Sequence, residues 1–144
     1  MKKKPKILIV RSRYNNTLDL YDSACNELDK RKIQKVESMF VNGAFEIPVA
    51  IARNINKFDA FVAIGIIIKG ETPNFNLISQ SITDGIMYLS VLHKKPIGNA
   101  ILTCLNSDQA EKRGHKGKEA VEAILDVLNP DVDRKLTTVR KANK

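Results

Sequence analysis

A chain of 144 residues has room for one domain that buries roughly 65–70% of its unfolded surface, and too little for a second. Its net charge of +8 does not describe a nucleic-acid surface: four lysines stand within residues 1–6 and Arg134, Lys135, Arg140, Lys141 and Lys144 at the other end, and setting these nine aside leaves 15 basic against 16 acidic residues. No window approaches the ~20 apolar residues of a membrane span, the apolar run behind the first lysines is only Ile7 to Val10, and Cys25 and Cys104 sit in apolar surroundings, so a membrane protein, an exported protein and a disulfide framework are all excluded in favour of a soluble, cytoplasmic one.

In chain order, the β-branched run 6–10 reads as a strand, and the helix after it places Leu18, Tyr21, Cys25 and Leu28 on one face. The segment between them, Arg11-Ser12-Arg13-Tyr14-Asn15-Asn16, has no glycine, which excludes a dinucleotide fingerprint or a P-loop there, and it lacks the acidic cluster of a response regulator. Tyr14 reads two ways: as a ring that stacks on a planar ligand, or as a half-buried tyrosine capping the sheet edge.

A second strand at 35–41 runs into Asn42-Gly43-Ala44-Phe45-Glu46-Ile47-Pro48, and residues 45–55 form a mostly apolar helix. Glu46 is a single carboxylate among small and apolar neighbours. It is either exposed on the first turn of that helix, near the favourable end of the dipole, or it accepts hydrogen bonds from a polar ligand.

The third strand, 58–68, leads straight into Lys69-Gly70, then Thr72 and Pro73 in N-cap and N1 style, then a helix with Phe75, Ile78, Ile82, Ile86 and Leu89 at 3–4 spacing. Free amides and the helix dipole favour a phosphate at such a turn, and Gly70 permits close backbone approach. The alternative is an ordinary helix start with Lys69 in solvent. His93, at the far end of the helix, suits its carboxyl terminus.

After a fourth strand, 96–104, the Gly114-His115 pair and Gly117 suggest a break, so that the last helix begins near Lys118 and carries Val121, Ile124, Leu125 and Leu128 on one face. Arg113 and Lys116 stand three residues apart with His115 between them. They either clamp a phosphate together or belong to a solvated charged surface.

The order βαβαβαβα, with strands apolar on both faces, predicts a four-stranded parallel sheet in a three-layer αβα sandwich of flavodoxin-like type, with right-handed crossovers. Residues 1–130 make the single α/β domain and 131–144 a basic tail. Ligands of such folds sit beyond the carboxyl ends of the strands, which is where all four of these loops fall.

With those loops assembled, the sequence resembles the 6,7-dimethyl-8-ribityllumazine synthases of riboflavin biosynthesis over nearly its whole length. Arg13-Tyr14-Asn15 resembles that family's Arg-Phe-Asn, Asn42 to Pro48 its Pro-Gly-Ala-Phe-Glu-Ile-Pro, Lys69 to Thr72 its Arg-Gly-Glu-Thr, and Lys116-Gly117 its Lys-Gly. Pro96 to Thr103 resembles a recurrent fourth strand of the family. The resemblance implies a transferase that joins 5-amino-6-ribitylaminouracil to 3,4-dihydroxy-2-butanone 4-phosphate, releasing phosphate and water, with no metal and no organic cofactor. It implies Tyr14, with Asn15, at the uracil ring; Ala44, Phe45 and Glu46 at the ribityl chain and ring; and the backbone of Ile66, Ile67 and Ile68 at the pyrimidine edge. It implies Asn99 as a further wall, often given by a neighbouring subunit, and Glu71, Thr72 and Arg113, with Lys116, around the phosphate. Homopentamers, or multiples of pentamers, and association with riboflavin synthase are implied as well. The family commonly has a longer arm before its first strand; five mostly lysine residues stand there in this chain, which favours the smaller assembly.

Two departures bear on catalysis. The family's third loop continues to a histidine that accepts and donates protons, and Asn74 stands in that place, where an amide cannot do acid–base work at neutral pH. The stretch between Arg113 and Lys116 is also shorter than the family's, so His115 reads two ways: displaced inward, where it compensates in part, or a surface histidine in a tight turn. A slowed enzyme is the expectation; the alternative is a non-catalytic pentameric protein that binds a flavin or lumazine or forms a shell.

Overall fold

The chain was analysed as a computed structural model that describes residues 4–70, 74–129 and 138. Four strands, β1 (Ile7–Ser12), β2 (Val36–Val41), β3 (Ala60–Ile68) and β4 (Ile97–Cys104), pair in the order β2-β1-β3-β4, every pair parallel. Crossovers are supplied by α1 (Leu18–Lys30), by a 3-10 turn (Ala44–Glu46) running into α2 (Ile47–Arg53), and by α3 (Asn74–His93). After β4 come a short α4 (Ser107–Glu111) and then α5 (Lys116–Leu128). This is the three-layer α/β sandwich that the alternation of elements predicts. The expected basic tail, 131–144, lies outside the described residues except for the exposed Thr138.

Strand periodicity divides the core into two layers, because successive side chains of a strand point to opposite faces. Ile7 and Ile9 of β1 and Ala60, Val62, Ile64 and Ile66 of β3 pack beneath α1 and α5, against Leu20, Ala24, Leu28, Val121 and Ile124. Leu8 and Val10 of β1, with Phe61 and Ala63 of β3, pack on the other side beneath α2 and α3, against Ile47, Ile51, Ile82 and Ile86. The central strands are thus apolar on both faces, as expected. The edge strands are not: β2 leaves Glu37, Ser38 and Phe40 exposed, and β4 alternates, with Ala100, Leu102 and Cys104 buried and Asn99 and Thr103 exposed. An edge strand has a neighbour on one side only, so the covering helices do not reach its outer flank.

β1 runs on to Ser12 past the expected end at Val10, β3 starts at Ala60 rather than 58, and α2 is shorter than the expected helix 45–55. α5 begins at Lys116, two residues before Lys118, because the glycine at 117 serves a close approach rather than a break. α4 was not expected at all; Asn106 caps it, its side chain accepting the Gln109 amide at 3.0 Å while the Gln109 side chain accepts the Leu105 amide at 2.8 Å. This reciprocal pair is a variant of the capping box, legible in Asn106-Ser-Asp-Gln109.

At Gly117 helix α5 presses onto α1. A Cβ there would overlap the carbonyl oxygen of Leu20 and lie 2.5 Å from the Ser23 hydroxyl. Gly117→Ala should therefore force the helices apart at a cost of about 3 kcal/mol, read by thermal denaturation as a fall of roughly 6–12 °C in Tm. An unchanged Tm would mean that the helix pair has slack the packing does not suggest.

Candidate active site

Because all strands run parallel, their carboxyl ends meet at one edge of the sheet. β1 pairs with β3 up to Arg11 against Ile64, whereas β3 continues to Ile68, paired with β4 as far as Cys104. The end of β3 therefore overhangs β1. Beside the overhang is a cavity of about 210 Å³ lined by Asn15, Asn16, Asp19, Ile66, Ser107 and Glu111, among others.

The chain turns away from β1 at Asn15, which holds a left-handed φ of 67° and whose side-chain amide donates to the Ile66 carbonyl at 2.8 Å. Asparagine tolerates that conformation better than most residues, because its short side chain can bond locally. Two expected site residues, Asn15 and Ile66, are thus joined directly. Tyr14 is anchored only by its backbone, whose amide donates to the Asn42 carbonyl at 3.3 Å; the ring is 75% exposed. A half-buried tyrosine capping the sheet, one of the two readings of this residue, is not what the fold makes of it. Arg13 of the same motif turns outward over Phe40, and Arg11 is sandwiched between the rings of Tyr21, at 4.1 Å, and Phe40, at 4.5 Å.

In the second loop, Glu46 takes a role that neither sequence alternative contained. Its carboxylate accepts the Gly43 amide at 2.8 Å while the Glu46 amide donates to the Gly43 carbonyl at 3.1 Å, a box that closes the 3-10 turn. One carboxylate oxygen is committed to the backbone and the residue stays half-buried. Ala44 is buried beneath it, and Phe45 is exposed over a hollow shared with Pro48, Val49, Ser81 and Ile82.

The third loop leaves β3 with the Lys69 amide bonded to the Cys104 carbonyl at 2.9 Å, and Lys69 and Gly70 are exposed. Nothing lies within 4 Å of where a Gly70 Cβ would stand. Glu71, Thr72 and Pro73, the expected phosphate cradle, lie outside the described residues, and Asn74 opens α3 with its side chain exposed.

From the fourth strand, Asn99 pairs with Ala63, five residues before the Ile68–Cys104 pair at the strand end. That is about 17 Å along the strand, so one subunit does not bring its own Asn99 to this edge. Its side chain is exposed and accepts the Ile101 amide at 3.0 Å. Arg113 is exposed in the turn between α4 and α5, its amide held by the Ala110 carbonyl at 3.1 Å. His115 is not displaced inward: it is 57% exposed, with Nε2 at 3.4 Å from a Glu119 carboxylate oxygen, and Lys116 reaches the other oxygen of Glu119 at 3.2 Å. The first turn of α5 sets all three on one helix surface, where Glu119, one turn on from His115, lies within reach of both side chains.

Among the described residues that line it, the cavity carries the carboxylates Asp19 and Glu111 and no lysine or arginine, a lining that disfavours a phosphate group. Exposed cations follow three of the strand ends: Arg13 after β1, Lys69 after β3 and Arg113 in the turn beyond β4. No thiol is primed for attack. Burial raises the pKa of Cys25 despite a hydrogen bond from Tyr21, and Cys104 is buried.

The family model for 6,7-dimethyl-8-ribityllumazine synthase matches residues 4–130. A 6,7-dimethyl-8-ribityllumazine synthase of Methylibium petroleiphilum is 39% identical over 131 residues, covering 86% of this chain and 82% of that protein. The enzymes of the same name from Cutibacterium acnes and Campylobacter jejuni are 36% and 33% identical, each over at least 85% of this chain and 80% of their own length.

The bond from Asn15 to Ile66 ties the first loop to the third. Asn15→Ala should cost about 2 kcal/mol, from a lost hydrogen bond and from an alanine forced into the left-handed region, and Asn15→Gly about half of that, since only the bond is lost. Urea denaturation measures both; equal losses would refute the backbone share of the cost.

Proposed function

The chain belongs to the 6,7-dimethyl-8-ribityllumazine synthase family, and from that premise we propose how its strand-end loops divide the work of the reaction. The reaction is the condensation of 5-amino-6-ribitylaminouracil with 3,4-dihydroxy-2-butanone 4-phosphate to 6,7-dimethyl-8-ribityllumazine, with loss of phosphate and water. The observation that carries the assignment is the family match across residues 4–130, which takes in all four loops at the carboxyl edge of the sheet.

The uracil stacks on the exposed ring of Tyr14, and the backbone of Ile66 to Ile68 lines its edge, with the Asn15 amide holding the Ile66 carbonyl in place. Ala44, Phe45 and the free oxygen of Glu46 meet the ribityl chain. The guanidinium of Arg113, supported by Lys69, Lys116 and the amides of Glu71 and Thr72, holds the phosphate. Both reacting groups, an amine and a carbonyl, belong to the substrates, so the protein's share is to align them and to stabilise the departing phosphate. Asn74 orients a substrate or a water by hydrogen bonding but moves no proton. We assign proton transfer to water and to the substrate phosphate rather than to His115, which is engaged with Glu119.

Residues 1–130 act as one catalytic domain in the cytoplasm; no described helix is long and apolar enough to cross a membrane. A homopentamer fits two features. Of the twenty residues of α3 only Ile82 and Ile86 are buried, while Leu77, Met87, Tyr88, Val91 and Leu92 are exposed, an apolar surface that a neighbouring subunit would cover. Asn99, remote from its own strand-end edge, is free to wall a neighbour's site.

Purified protein mixed with both substrates should generate lumazine absorbance above the uncatalysed rate, and Asn74→His should raise kcat by up to ~10²-fold by restoring an acid–base group. No product would leave a ligand-binding or shell-forming protein; product with no gain in Asn74→His would show that proton transfer does not limit turnover. Sedimentation equilibrium should give five times the 16.1 kDa mass of the chain or a multiple of that, and a monomer would remove the shared-site arrangement.

A further inference from the structure

The turn that carries Arg113 is held by a residue outside it. His115 occupies the N-cap position of α5 yet makes no side-chain cap bond. The cap is supplied by α1 instead: the Ser23 hydroxyl oxygen accepts the amide of Lys118, the third residue of α5, at 3.1 Å, and donates to the Gly114 carbonyl at 2.7 Å, with the Leu20 carbonyl also within reach at 3.1 Å. One half-buried side chain thus satisfies a donor at the start of α5 and an acceptor in the turn beside Arg113. It approaches so closely because Gly117 has no Cβ to meet it.

We infer that Ser23 is a positioning residue for Arg113, an inference that rests on the phosphate role proposed above for that guanidinium. The backbone of Arg113 is fixed at both ends, its amide bonded to the Ala110 carbonyl at 3.1 Å and its carbonyl to the Lys116 amide at 3.0 Å. On one side is α4, only five residues long and of little stability by itself. On the other is the first turn of α5, which lies against α1 at Gly117 and is hydrogen-bonded to it by Ser23. A long, exposed arginine makes a directed phosphate contact only if its own backbone is held. Losing the hydroxyl takes its acceptor from the Lys118 amide and leaves the Gly114 carbonyl with only the longer bond from the Gly117 amide, at 3.3 Å, which loosens the turn, while Tyr14 and the Gly43–Glu46 box keep all of their contacts.

The consequence is selective, and steady-state kinetics on the assembled enzyme read it. Ser23→Ala should raise KM for the butanone phosphate by about 3–10-fold, the size of one or two lost hydrogen bonds, and weaken inhibition by inorganic phosphate to the same degree, with KM for the ribitylaminouracil unchanged. Arg113→Ala should raise the same KM, and the double variant should lie no higher than Arg113→Ala alone, since no guanidinium remains to be positioned. If Ser23→Ala fails to assemble, Ser23→Cys, which keeps a weak donor in a similar volume, should show the same selective shift at smaller size. Equal changes for both substrates, or additive effects in the double variant, make Ser23 an ordinary packing residue and overturn the inference. A shifted KM in Arg113→Ala with none in Ser23→Ala refutes only the positioning role. An unshifted KM in Arg113→Ala refutes the phosphate reading and the inference with it.

Discussion

Buried backbone must be hydrogen-bonded, and β3 is buried along its first seven residues, so its ladders to β1 on one flank and β4 on the other are the constraint on which this structure depends. Both ladders are parallel. Parallel neighbours cannot be joined by a tight turn; they need crossovers, which lay α1 on one face and α2 and α3 on the other, with α5 after the last strand joining α1. The same geometry brings the four strand ends to one edge. Since β3 extends past β1, its last residues stand beside a cavity on the β1 flank while remaining paired with β4 on the other, and the loop after β1 folds back on them through Asn15.

The loops at that edge are stiffened by hydrogen bonds to backbone. Asn15 holds Ile66, Glu46 holds Gly43, Lys69 is bonded to Cys104, and Ser23 holds both Gly114 and Lys118. Each bond is worth only about 0.5–1.5 kcal/mol in stability, yet together they fix the backbone from which the site residues project. That suits a reaction whose two reacting groups are both brought by substrates, because alignment is then the larger part of what a protein can add.

Charge is distributed unevenly along the strand-end edge: carboxylates and amides are among the residues lining the cavity beside β3, while Lys69 and Arg113 are exposed in the loops that follow β3 and β4. One flank of α3 is apolar and exposed, and Asn99 stands well away from its own strand end.

The sequence by itself determined the alternation of strands and helices apart from α4, the double burial of β1 and β3, the edge at which the four loops gather and the family, because these rest on local periodicity and on motifs contiguous in the chain. Boundaries moved at β1, α2 and β3, and glycine misled at α5: Gly117 looked like a helix break and is a helix contact. What only the tertiary structure decided depends on partners distant in sequence or on the direction of a side chain. Which strands stand at the edges, that Glu46 closes a turn, that His115 faces Glu119 instead of the site, and that a serine from α1 caps α5 across 91 positions are all of this kind. A lone carboxylate, histidine or serine carries no periodic signal, and its hydrogen-bond partner exists only once the helices have packed.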